Sequence, residues 1–293
     1  MIDVLILNYN CASETITLVQ TLQKYEATIR YILIVDNKST DESFQTIQNA
    51  INNKNTFVIT TPQNGGYGYG NNIGFTFLKE RFNSEYVLLC NPDIAISEKA
   101  IKEMEMFLGS HDNYLAVAPF MLDANQKKNF STAYKIPRKI DYIFSMTFCL
   151  GHYFSRTRYS RDFFKQNANS YIDVETVAGS LYMINLNNCP TTAIYDEGIF
   201  LYCEETVFGL YAKRLNMKIG LLLDEVFVHN HSVSISKSFS KARQRRSLLL
   251  RSRLYLLRKY YSANQIEIRF AIFLGFISYL ELFIFRLLRK RIV

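Results

Sequence analysis

Over the first 120 residues, short β-rich runs alternate strictly with helical patterns, which predicts an α/β fold. The expected architecture is a mainly parallel, twisted sheet with helices on both faces. Two further observations support it. The runs at 31–35 and 87–90 are continuously apolar, as strands covered on both faces should be. Polar clusters then fall just past the runs, at Asn8 and Asn10, Asp36 and Asn37, residues 64–72 and residues 91–93. Open α/β sheets place their ligand sites at that edge.

The elements read in order as follows. Residues 4–7 form a strand, and 13–25 a helix with Ile16, Val19 and Leu22 on one face. A strand at 31–35 leads to Ser39-Thr-Asp-Glu42, a capping box for a helix to about Ile51. A strand at 56–60 is followed by a Gly/Asn-rich turn and a helix ending near Phe82. The strand at 86–90 stops at Asn91-Pro-Asp93, before a helix at 98–108 closed by Gly109 and a strand at 114–118. Residues 123–170 lose the pattern and read as an irregular insertion covering the sheet. Beyond them lie a strand at 176–184, a helix at 204–215 and short strands at 218–223 and 226–229.

Composition narrows the function. The 293 residues are 48% hydrophobic and 20% charged, which excludes a disordered chain. Five cysteines without a C-x-x-C pair speak against a disulfide framework and against structural zinc. With no basic leader before the first strand, a reducing, cytoplasmic setting is expected. The net charge of +8 conceals a split: residues 241–293 carry 13 Lys/Arg against Glu267 and Glu281, whereas residues 1–240 carry 21 bases and 24 acids. The body and the tail are expected to do different jobs.

Several motifs could carry chemistry. Asp93, behind a proline at a strand's carboxyl end, suits a divalent cation that grips a diphosphate, or equally a plain turn. Residues 64–74 hold five of the twelve glycines, which would let backbone approach a ligand beside a helix start at Asn71-Asn72. Their spacing excludes the dinucleotide fingerprint and the P-loop. Asp36 can bond a base or ribose, or form an Asx-turn. The acids Asp196, Glu197, Glu204 and Glu205 offer a catalytic base or simply complement a helix dipole. His229 and His231, two apart on a strand, point to opposite faces, so they do not serve one metal together.

Taken in order, these pieces resemble the family-2 glycosyltransferases of the GT-A fold, and among them the rhamnosyltransferase-like bacterial enzymes. The matching text is Val4-Leu-Ile-Leu-Asn-Tyr-Asn10, Ile34-Val-Asp-Asn-Lys-Ser-Thr-Asp-Glu-Ser43, residues 64–74 and Leu88-Leu-Cys-Asn-Pro-Asp93. It continues with Val177-Ala-Gly-Ser180, Asp196-Glu-Gly-Ile-Phe-Leu-Tyr-Cys-Glu-Glu205 and His229-Asn-His-Ser-Val-Ser234. The resemblance implies a catalytic unit over 1–240, with a nucleotide-sugar half to about 120 and an acceptor half over 121–240. It implies inverting transfer of a sugar from a nucleoside-diphosphate-sugar, dTDP-rhamnose or a UDP-hexose, to a hydroxyl. By that likeness Asn10 and Asp36 contact the nucleoside, and Asn64 and Asn72 shape the donor pocket. Asn91 and Asp93 face the diphosphate, with Asp93 and His229 holding Mg²⁺ or Mn²⁺. Glu205 takes the acceptor proton, with Glu204 as the fallback base. The chain departs from the family pattern in carrying Asn-Pro-Asp where many relatives have a second aspartate. It also has Glu-Glu for the usual Glu-Asp, and Val207 in place of a frequent acid.

In the tail, residues 241–262 read as an amphipathic helix, with Leu250, Leu254, Leu257 and Tyr261 set against Arg243, Arg246, Arg251, Arg253 and Arg258. Residues 270–285 contain a single charge, Glu281, but are shorter than the roughly 20 residues a span needs. Nucleic acid would leave the greasy stretch without a role, so none is expected as a partner. A core-packing helix is one reading. An in-plane helix on an anionic membrane explains both charge and grease. It would place the protein at the inner face of the cell membrane, beside a lipid-linked saccharide acceptor for surface polysaccharide synthesis. Two rival functions are a nucleotidyltransferase on a similar sheet and a catalytically inactive, membrane-recruited sugar-nucleotide-binding protein.

Overall fold

The computed structural model describes residues 1–154, 157–165, 170–230 and 242–290, the last with side chains to 284. Strands β1 (Ile2–Asn8), β2 (Ile29–Asp36), β3 (Thr56–Thr60) and β4 (Tyr86–Cys90) lie parallel in the order β3-β2-β1-β4. The pleat explains their layering. Val4 and Ile6 of β1 pack with Leu18, Val19 and Leu22 of α1 (Ala12–Leu22), while Leu5 packs with Phe75 and Leu78 on the opposite face. Helix α2 (Ser43–Ala50) begins after the expected capping box, not at it, because the Ser39 hydroxyl is bonded to Asp36 and not to a helix amide. Helix α3 (Tyr67–Phe82) starts a turn before Asn71.

The second half of the sheet mixes strand directions. Strand β5 (Ile94–Ile96), too short to read from periodicity, precedes α4 (Glu98–Ser110), whose N-terminus Ser97 caps through the Ala100 amide. Strand β6 (Tyr114–Leu122) follows. The insertion contributes β7 (Ala133–Tyr134), α5 (Lys139–Phe144), α6 (Phe148–Phe154) and β8 (Tyr171–Val174). The strand expected over 176–184 is broken into β9 (Thr176–Val177), which pairs with β7, and β10 (Leu181–Asn185). After α7 (Glu204–Arg214), the two short strands expected near the end are one, β11 (Lys218–His229), bulged between Leu222 and Val226.

The completed nine-stranded sheet is mixed. Its path runs β3-β2-β1-β4-β10-β6-β11-β5, with β8 on β11. Parallel pairing holds among β1–β4 and between β6 and β11, whereas β10, β5 and β8 are antiparallel to their neighbours.

The tail forms α8 (Ala242–Lys259) and α9 (Gln265–Lys290), and it packs on the body. Leu250, Leu256, Leu257, Ile268, Ala271 and Leu274 share a core with Tyr142, Ile143, Met146, Ile199 and Val207. Arg246, expected on an outward basic face, is buried, donating to the Ser278 hydroxyl at 3.0 Å and to the Met146 carbonyl. Glu281 caps α6, accepting the amides of Phe148 and Cys149 at 2.7 and 3.2 Å. The other side of α9 is an apolar row facing outward: Phe270, Phe273, Phe276, Leu280 and Phe283 are 44–69% exposed. Among the described residues no helix is long and apolar enough to cross a membrane.

Candidate active site

At the carboxyl edge of β1–β3 a dense polar lattice forms. The Asn8 amide donates to the Asp36 carboxylate at 2.8 Å and its carbonyl accepts from Thr15 at 2.8 Å. Asp36, 1% exposed, also accepts from the Ser39 amide and hydroxyl at 2.9 and 2.6 Å, which ties down the loop after β2. Asn10, in the left-handed region at φ 54°, exchanges two hydrogen bonds with Thr40. One step over, Asn37 donates to the side-chain carbonyl of Asn64 at 3.1 Å and the Gly66 carbonyl at 2.9 Å, and accepts from Thr61. Asn37 and Thr61 act here without any distinguishing signal in the sequence beyond their place after a strand.

The glycine-rich segment approaches its own chain. Gly66, at φ 92°, lies so close to the Phe200 backbone that no Cβ fits. The carbonyl of Phe200 accepts from the Tyr67 amide at 3.0 Å, and the Tyr67 hydroxyl donates to the Gly179 carbonyl at 2.6 Å. Asn72 clamps the same loop by donating to the Tyr195 carbonyl and the Glu197 carboxylate and accepting from the Tyr195 amide, each at 3.0 Å. The glycines therefore seat α3 against the loop that leads to the glutamates.

Asp93 and His229, 136 positions apart in sequence, are neighbours because β5 and β11 pair antiparallel with His229 opposite Ile94. The His229 Nε2 is 3.3 Å from the Asp93 carboxylate, and the Asn230 amide donates to the Asp93 carbonyl at 3.0 Å. A hard carboxylate beside an imidazole suits Mg²⁺ or Mn²⁺. Among the described residues no cluster of three or more metal-ligating side chains exists, so substrate oxygens would have to complete the coordination. His231 lies outside the described residues. Asn91 joins the same corner, its amide donating to the Ser180 carbonyl at 2.9 Å.

From that corner a cavity of about 400 Å³ extends towards the tail. Asn91, His229, Gly179, Tyr67, Glu204 and Glu205 share its lining. Two consecutive left-handed residues, Tyr202 and Cys203 (φ 71° and 73°), turn the chain into α7, and the glutamates form its first turn. Thr176 fixes the turn by donating to the Glu205 carbonyl at 2.7 Å. Burial raises the pKa of both carboxyls, and at Glu204 the neighbouring Glu205 charge adds to it. Glu204 is 7% exposed with Oε1 lacking any partner, while Glu205 is half-buried.

The tail helps to build this wall. Asp196, one residue beyond the Asn72 clamp, accepts from Lys259 and Tyr260 at 2.7 Å and from Tyr255 at 2.9 Å. Ser252 donates to the Leu201 carbonyl at 2.7 Å, and Leu249 and Arg253 line the cavity itself. Sequence reasoning assigned the tail to a separate task and missed these contacts. The signal was Asp196 among the acids and Arg253 on the same helical repeat as the packed leucines.

A polar sheet edge, together with a carboxylate–imidazole corner and an acid pair that share one cavity, belongs to a sugar-transferring enzyme of the GT-A type, and the comparisons agree. Residues 3–184 match the family described as glycosyl transferase family 2, and the chain belongs to that family. It is 23% identical over 232 residues to the low-salt glycan biosynthesis hexosyltransferase Agl10 of Haloferax volcanii, covering 79% of this chain and 68% of the relative. It is 25% identical over 143 residues to the rhamnosyltransferase WbbL of Escherichia coli, covering 48% of this chain and 51% of that one. In fold it is similar to S. aureus TarS 1–349 in complex with UDP-GlcNAc, with TM-score 0.53, 17% identity and coverage of 88% and 66%. It is also similar to GalNAc-T7 with UDP, GalNAc and Mn²⁺, with TM-score 0.55, 11% identity and coverage of 79% and 44%. The chain thus spans about half the length of WbbL and less than half of GalNAc-T7.

Proposed function

We propose that this glycosyltransferase moves a sugar, by one inverting displacement, from a nucleoside diphosphate to a hydroxyl of a lipid-linked saccharide in bacterial surface polysaccharide synthesis. dTDP-rhamnose or a UDP-hexose is the donor. The observation that carries the reading is the single cavity joining the Asp93–His229 corner to the Glu204–Glu205 wall. Asp93 and His229 would hold Mg²⁺ or Mn²⁺, and the bound ion neutralises charge on the leaving diphosphate. The lattice around Asp36 and Asn10 forms the nucleoside platform, and Asn64, Asn72 and Asn91 hold the walls beside it. Glu205, accessible in the cavity, takes the acceptor proton, with Glu204 as the second carboxylate in reach. Burial supports this role, because a carboxyl raised towards neutrality accepts a proton more readily.

A panel of UDP-, dTDP- and GDP-sugars with Mg²⁺ or Mn²⁺, followed by release of the nucleoside diphosphate, tests the reading. Glu205→Gln is expected to lower turnover by about 10²–10⁴-fold, and Asp93→Ala to a similar depth. Unchanged turnover in both variants overturns the site, and release of pyrophosphate in place of the diphosphate points to nucleotidyl transfer.

The outward row of α9 supports attachment to an anionic membrane surface. Phe270, Phe273 and Phe276 are exposed, with Arg269 on the same helix and Arg243 stacked 5.8 Å from Tyr279. Each buried phenylalanine is worth about 1.5–3 kcal/mol. Phe273→Glu with Phe276→Glu should abolish co-sedimentation with phosphatidylglycerol vesicles while leaving the fold intact. Undiminished sedimentation would refute membrane docking through this face.

A further inference from the structure

We infer that Arg253 is an oxyanion-binding residue of the acceptor cavity, and that the natural acceptor carries a negative charge close to the hydroxyl it presents. This rests on the reading of the Glu204–Glu205 cavity as the acceptor site. Arg253 reaches the cavity from α8, a turn beyond Leu249, and donates one guanidinium N–H to the Ser145 carbonyl. Its Nε is buried and without any hydrogen-bond partner, and among the described residues Arg253 forms no ion pair. A desolvated guanidinium with only a neutral carbonyl for company is an expensive arrangement, and burial accordingly lowers its pKa.

The surrounding acids do not relieve it. Asp141, also in the lining, is engaged by Arg138 at 3.0 Å, and among the described residues neither Glu204 nor Glu205 forms an ion pair with Arg253. A second cation, Lys135, stands exposed at the rim without an ion-pair partner among the described residues, its ammonium 5.4 Å above the Tyr159 ring. The cavity therefore pairs a proton-accepting wall with uncompensated positive charge. Planar, charge-assisted hydrogen bonding by arginine fits a carboxylate or a phosphate. The chemical class of the acceptor is thus a saccharide bearing a uronic carboxylate or a phosphate.

Isothermal titration of the full chain in EDTA, without donor, keeps the metal corner out of the measurement. The probes are methyl β-D-glucuronide, glucose 6-phosphate and the neutral methyl β-D-glucoside. At least one charged probe should bind about tenfold more tightly than the neutral one, as expected of a charge-assisted hydrogen bond. Arg253→Gln should erase that preference and Arg253→Lys should restore part of it. A gain for the glucuronide alone identifies a carboxylate, and a gain for glucose 6-phosphate alone a phosphate. Equal binding of all three, or a preference that survives Arg253→Gln, overturns the proposal. Should the variant not fold, the Arg253 Nε–H resonance of the wild type decides: it must move with a charged probe and stay still with the neutral one. Metal-dependent donor turnover, measured separately, can stand or fall independently of this result.

Discussion

Around Asp36, each polar side chain described has a partner within the protein: Asn8, Ser39, Asn10, Thr40, Asn37, Thr61 and Asn64 close on one another. In the cavity wall around Glu204, by contrast, Glu204 Oε1 and Arg253 Nε are buried and have none. The first region is a finished network, rigid before any ligand arrives. The second leaves charge-bearing atoms desolvated and unmatched, a cost that native proteins accept where a ligand completes the set. The Asp36 lattice is thus expected to behave as structure, and the wall around Glu204 and Arg253 as a site under strain.

Substitutions in the two regions should therefore change stability with opposite signs. The largest effect is expected from Asn8→Ala, which removes hydrogen bonds to Asp36 and Ser39 and orphans the Thr15 hydroxyl. It should destabilise the fold by about 3 kcal/mol in urea unfolding, and an unchanged midpoint would break the contrast from the platform side. Glu204→Met, which removes the orphaned carboxylate, should raise stability by about 1–2 kcal/mol even as turnover falls. A loss of stability there would mean that the acid is satisfied in solution.

A smaller and sharper test lies in pH. The folded state holds protons on Glu204 and Glu205 more tightly than the unfolded chain, with its ordinary value near 4.5. Their contribution to stability therefore declines as pH rises above 4.5 through the raised values. Asp196 has the opposite sign. Burial opposes its ionisation, but the hydrogen bonds from Lys259 and Tyr260 prevail and hold it below its usual 3.8. Its contribution is present above that value and disappears as pH falls through the lowered one. Glu204→Met should flatten the alkaline slope of the stability profile, and Asp196→Asn the acid slope. If each substitution altered the other limb, the assignment of charge states to the two acids would be wrong.

Much of the platform was legible because β1, β2 and β4 are buried runs and polar residues follow each of them. The pairing of Asp93 with His229 was not legible from spacing. It depends on β5, a strand of three residues, meeting the end of β11. The capping box at Ser39 misled because the hydroxyl has a stronger claimant in Asp36. The glycines were read as making room for a ligand, whereas at Gly66 they make room for Phe200. The tail misled most, because its composition suits a lipid surface equally well whether or not its other face is packed. Leu250 and Leu257 gave the packed face, but nothing local to α8 says that the neighbouring Arg253 lines a cavity shared with residues as distant as Tyr67 and His229.

The join between Asp196 and Lys259 also orders events during synthesis. Domains take shape from the N-terminus as the chain emerges, at about 5–20 residues per second. Sheet, the Asp93–His229 pair and both glutamates are all encoded before residue 230, but the cavity gains its last side only when Leu249 and Arg253 have left the ribosome. Until then the nascent chain has its Asp36 lattice complete and its cavity open on the side that α8 will close.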